Sequence, residues 1–118
     1  MRVMNLALGA FLVLSAVLAA VALVLAVDNP DIEGTSRGDY TCLAPWDTVL
    51  NHADNSAGGE PPPDDDQIDA RCRAAGVHRF EQAVGVAVAA AVAMVLVAAT
   101  SGVRSWYDSG VSTQGTAR

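Results

Sequence analysis

Two cysteines, Cys42 and Cys72, and two histidines, His52 and His78, are the residues whose types could hold a metal or carry thiol chemistry. A redox pair of cysteines calls for close C-x-x-C spacing or a site that stabilises a thiolate, and these two stand thirty positions apart. A structural zinc site calls for ligands in close pairs, and 42, 52, 72 and 78 form none. Three consecutive aspartates, Asp64, Asp65 and Asp66, suggest calcium, but the D-x-[DN]-x-[DN]-G spacing of a calcium loop is missing and consecutive carboxylates point in different directions. No G-x-S-x-G, phosphate loop or H-E-x-x-H occurs. The expectation is therefore a non-enzyme with no catalytic residue, no metal, no cofactor and no small-molecule substrate, in which the cysteines are structural.

The elements that must position these residues are two apolar runs, 6–27 and 83–103, flanking a polar insert, 28–79. Together the runs take 43 of 118 residues, so little chain is left for a soluble core. The first contains no polar side chain except Ser15, and as a helix its 22 residues reach about 33 Å, close to the thickness of a bilayer's hydrocarbon. A cleaved signal peptide is the competing reading, with Val24-Leu25-Ala26 as a small-residue cleavage site. The run exceeds an ordinary signal core, so an uncleaved anchor behind a short head, 1–5, is expected. The insert holds eleven acids against four arginines, a charge of −7 where the whole chain carries −6. Such a balance argues against nucleic acid and against attraction to anionic lipid. With 22 alanines, 16 valines and no lysine, the composition points to a GC-rich bacterial genome.

Within the insert, Asp28-Asn29-Pro30-Asp31 stops the first helix. Residues 32–40 read as extended chain or loop, with Gly34 and Gly38 as breakers. Pro45 and Asp47 suit a helix start, and Trp46, Val49, Leu50 and Ala53 recur with helical spacing, giving about two turns. Trp46, Val49 and Leu50 form the candidate contact face outside the membrane. The stretch 55–66, with Gly58-Gly59 and three prolines, reads as a mobile acidic linker. Asp65 or Asp66 then caps a helix carrying Ile68, Cys72 and Ala75 on one face, which Gly76 loosens ahead of the second span. If Cys42 and Cys72 join, Trp46, Val49, Leu50, Ile68 and Ala75 gather into one cluster, and the cross-link stabilises the cap by roughly 3–4 kcal/mol.

The second run holds eight alanines and one leucine where the first holds seven leucines. Thin side chains favour helix–helix approach in lipid, so Gly85, Ala89 and Ala93 are the expected packing row, and the second span is expected to face protein more than the first. Arg79 and Phe80 at one end, and Arg104, Trp106 and Tyr107 at the other, are the expected membrane-interface residues. The Gly/Ser/Thr-rich tail, 104–118, is expected to be disordered. Arg2 precedes the first span and only acids closely follow it, which places the N-terminus inside. The arginines flanking the second span argue the other way. The first span and the cysteine pair, which suits an oxidising compartment, decide for both termini in the cytoplasm and the insert outside.

The stretches D-Y-T-C-L-A-P-W-D-T-V-L-N, G-G-E-P-P-P-D and A-R-C-R-A-A-G-V-H-R-F, set between two spans, resemble the small two-span membrane proteins of actinobacteria with a cysteine pair in the extracytoplasmic loop. The resemblance implies a Cys42–Cys72 disulfide outside the membrane and an uncleaved first span, and it supplies no catalytic residue. The fold expected is an all-α two-helix transmembrane hairpin, with spans over 6–27 and 80–103 and a small disulfide-stapled, partly helical loop, in a bacterial plasma membrane. The function expected is that of an accessory or interaction subunit bound to lipid and to other membrane subunits. A homo-oligomeric channel or transporter component is the alternative, weakened by the lack of ionisable residues in the apolar runs 6–27 and 83–103, and an envelope redox or metal enzyme is third.

Overall fold

The computed structural model describes residues 2–56 and 59–112, with side chains through 103. Helix α1, Arg2–Val27, contains no proline or charge after its first residue and ends where the sequence demands: Asp28 N donates the last helical bond to Val24 O at 2.8 Å, and Pro30 follows. The chain then forms an antiparallel hairpin, β1 Asp31–Thr35 and β2 Gly38–Thr41, paired Asp31 with Thr41, Ile32 with Tyr40 and Thr35 with Gly38. Between Ile32 and Thr35, β1 carries one residue more than its partner, a bulge that Gly34 accommodates at φ 71°. The insert is thus not wholly helical. What reads as a loop broken by two glycines is a hairpin that uses them for its bulge and turn.

Helix α2, Pro45–Leu50, is one short element with Pro45 at its start. Helix α3, Asp65–Ser112, is continuous for 48 residues, about 72 Å. No break separates the insert's second helix from the second apolar run, and the helix continues beyond 103 into what the sequence suggests is a disordered tail. The expected interface residues Arg104, Trp106 and Tyr107 have side chains outside the described residues. Gly76 does not loosen α3. It is the point where Thr48 of α2 comes closest: a Cβ there would stand 3.2 Å from Thr48 Cβ.

Helices α1 and α3 run antiparallel against each other. Along the seam the covered positions are Leu8, Ser15, Leu18, Ala22 and Leu25 on α1, with Ala26 half-buried beside them, and Ala83, Val86, Ala90, Ala93 and Val97 in the apolar run of α3. Both sets follow alternating steps of three and four or their multiples, the spacing of a left-handed coiled-coil seam. Ser15 satisfies its hydroxyl within its own helix, donating to Phe11 O at 2.9 Å. The expected packing row divides between the seam and the outside of the hairpin. Ala93 lies in the seam, but Gly85 and Ala89 face away from α1, and nothing lies within 4 Å of where a Gly85 Cβ would be. The i, i+4 row they define drifts off a seam of period 3.5, and the thin positions that α1 uses are Ala83 and Ala90.

Candidate functional site

The insert packs into a cap on the end of the hairpin, and its centre is the Cys42–Cys72 disulfide, with Cα atoms 5.4 Å apart. Both cysteines are buried, with Ile32 and Ile68 completing the core and Tyr40 packed at its side. The cross-link needs Cys42 held at the end of β2, where its N–H donates to Pro30 O at 2.8 Å, and Cys72 one turn beyond Ile68 on the inner face of α3.

Helix α2 meets this core with a different face from the one its sequence suggests. Pro45 and Thr48 are buried, Val49 is half-buried, and Trp46 and Leu50 are 51% and 48% exposed. The expected cluster of Trp46, Val49 and Leu50 with Ile68 and Ala75 therefore does not form. Gly76 offers a groove that Thr48 can enter, whereas an indole in that place would need a far wider gap.

The stretch 55–66 is tied down at three points among its described residues. Asn55, 1% exposed, accepts from Leu43 N at its Oδ1 (2.9 Å) and from Tyr40 Oη at its carbonyl (3.0 Å), while its own N–H donates to Asp69 Oδ1 (3.1 Å). Arg37 donates to Glu60 O at 2.8 Å. Ser36 donates through its N–H to Asp64 Oδ2 at 2.8 Å and through its hydroxyl to Asp64 Oδ1. These two bonds, the hydroxyl's foremost, hold the exposed Asp64 carboxyl below its ordinary pKa, with the Arg37 charge adding to them. The expected mobile linker is thus a strap over the β-hairpin. Asp64, not Asp65 or Asp66, stands at the start of α3, where its carbonyl accepts from Gln67 and Ile68. Its carboxylate serves the hairpin turn instead of capping the helix.

Two further arginines tie α3 to the cap's hairpin and to the end of α1. Arg71 donates to Glu33 O at 2.7 Å, and Arg79 meets Asp28 Oδ2 at 2.8 Å, joining the last turn of α1 to α3 where the apolar runs begin. Phe80 follows, half-buried.

The chemistry open to this arrangement is narrow. Both sulfurs are covalently paired and buried. His52 lies two residues past α2 with φ 51°, and His78 lies exposed on α3 beside Gln82 at 3.3 Å. Among the described residues no three His, Cys, Asp or Glu side chains gather as a metal site. What the cap does present is an apolar edge, formed by Leu43, Trp46 and Leu50. Sequence reasoning missed the strap and the Asn55 hub. The hairpin had a signal in Ile32 and Tyr40 flanking a Thr-Ser-Arg-Gly turn, but Asn55 had none, because a buried amide is specified only by partners distant in sequence.

No family model, curated protein or solved structure matches this chain.

Proposed function

We propose that this chain is a non-enzymatic, two-span integral protein of a bacterial plasma membrane, with both termini cytoplasmic and the cap outside, acting as an accessory subunit that docks on another membrane protein. Two helices long and apolar enough to cross a bilayer, with most of their large apolar side chains turned outward, support the insertion. A disulfide in the cap supports an oxidising compartment on that side. The observation that carries the docking is the outward row of Gly85 and Ala89. The hairpin completes its own seam without them, and they leave a thin strip on which a helix of another subunit can approach closely.

The test is purification of the full chain from its native membrane in mild detergent, beside an Ala89→Leu variant. The expected result is a foreign membrane subunit in constant ratio with the original chain and absent with Ala89→Leu, the disulfide remaining intact in both. A monomer alone overturns the proposal, and a uniform homo-oligomer replaces it with the channel reading. For the topology, a reporter enzyme active only outside the membrane and fused to the C-terminus gives no signal if both ends are inside.

A further inference from the structure

The apolar edge of the cap has a definite position relative to the spans. Thr48 places α2 against α3 at Gly76, seven residues before Ala83 begins the uncharged run, a rise of about 10 Å. Helix α2 also lies against α1, whose end is fixed at this level by the Asp28–Arg79 pair. The short helix therefore sits at the foot of the cap, beside the helix ends. The exposed apolar side chains on it are Trp46 and Leu50, and Leu43 (38% exposed) precedes it by two residues. The indole N–H of Trp46 has no protein acceptor among the described residues. A ring that is apolar along its body and still holds one unused donor at its edge suits the layer where hydrocarbon gives way to headgroups.

We propose that the Leu43, Trp46 and Leu50 edge is seated in the headgroup layer of the outer leaflet, so that α2 is an interfacial anchor and the cap rests on the membrane. A lipid surface suits this edge better than a protein does. At these exposures three side chains offer on the order of 300 Å², well under the ~800 Å² that each partner gives to a stable protein interface. The contact is apolar and not electrostatic, because an insert of charge −7 gains nothing from anionic headgroups. The inference rests on the two-span reading above and extends it to the insert.

The experiment uses the full chain carrying Trp106→Phe, so that Trp46 is the only tryptophan, in phosphatidylcholine vesicles with and without phosphatidylglycerol. Lipid brominated near the headgroup is expected to remove most of the Trp46 emission, acrylamide in the water to remove little, and the anionic lipid to make no difference. Emission quenched by acrylamide and untouched by brominated lipid overturns the proposal, as does quenching that requires phosphatidylglycerol. A separate chain with Trp46→Phe, Trp106→Phe and Val92→Trp, placed in lipid brominated deep in the acyl chain, reports the span itself. Failure of that reporter to be quenched sinks the two-span reading, whereas its success beside an exposed Trp46 sinks the anchor alone. Hydroxyl-radical footprinting of the unsubstituted chain supplies a second measurement. Protection of Trp46 in pure lipid vesicles supports the anchor, and protection found only in native membranes overturns it in favour of a protein partner.

Discussion

Replacing Gly76 by alanine tests how the cap holds α2. In a helix the substitution ordinarily stabilises by about 1 kcal/mol, because glycine loses more backbone freedom on ordering. Here the new methyl meets Thr48 at Cβ and Cγ2, both 3.2 Å away, and at Oγ1, 3.3 Å away. Thr48 has little room to retreat. It is 2% exposed, and α2 is held on one side by the disulfide at Cys42 and on the other by the Asn55 hub. The cost of overpacking such a site is about 1–3 kcal/mol.

The two effects separate if the observable is the opening of α2 alone. Helix α3 stays helical whether or not α2 is docked, so its gain in propensity cancels and only the steric cost remains. Amide hydrogen exchange at Thr48, Asn51 and Ala53, which donate to Ala44 O, Asp47 O and Asp47 O, reads that opening. Gly76→Ala is expected to speed their exchange by about fivefold or more, the equivalent of at least ~1 kcal/mol. Thr48→Ala removes two of the three crowded atoms, so in that background Gly76→Ala should have a much smaller effect. Unchanged or slower exchange in the single variant would refute the close contact and the placement of α2 derived from it.

Three more outcomes are expected. Substituting both cysteines by serine should weaken the cap by up to about 3–4 kcal/mol, less whatever restraint the paired helix ends already impose on the loop, and limited proteolysis should then cut within 28–79 while the spans stay protected. Asp64 has a lowered folded pKa, so its bond to Ser36 stabilises fully above the ordinary value of 3.8 and is lost as pH falls through the lower folded value; a fall in the protection of the Ser36 amide in acid, measured against its intrinsic exchange rate at each pH and abolished by Asp64→Asn, checks this. Ala90→Leu should overpack the seam at a cost of about 1–3 kcal/mol and separate α1 from α3 in detergent, while Ala89→Leu leaves that pairing intact, as distance measurements between labels on the two helices would show.

The parts of this fold legible from sequence were those in which one residue type decides the outcome. Uncharged runs gave the two long helices, Asp28-Asn29-Pro30 ended the first, Pro45 began α2, and the only two cysteines paired. Where facing decides, the sequence was silent or misleading. An apolar helix in which nearly every position is Ala, Val or Leu has no polar side to turn away, so the choice of Ala90 over Ala89 as a seam residue comes from the partner helix. Helix α2 is too short for periodicity to choose its inner face, and Thr48 won over Trp46 because Gly76 opened space for a small side chain. The acidic composition of 55–66 predicted disorder, yet its ties to Ser36, Arg37 and Tyr40 depend on residues fifteen to twenty-eight positions away.

Of the residues that first suggest chemistry, the cysteines and Asp64 are engaged within the cap, while His52 and His78 stay exposed. Ile32, Cys42, Ile68 and Cys72 make a core too small to hold the cap through burial alone, and small domains of this kind need cross-links or other staples. The cysteines supply one covalent staple. Asn55, Asp64, Arg37, Arg71 and Arg79 supply polar ones, each engaged with backbone or with a side chain of another element. An exposed ion pair such as Asp28–Arg79 contributes only about 0–1 kcal/mol, so its effect is geometric: it fixes where the cap sits on the spans. Among the apolar surfaces that the hairpin leaves uncovered are the Trp46 edge of the cap and the Gly85 strip of α3. Those are the two surfaces on which the proposals above stand, and each can fail without the other.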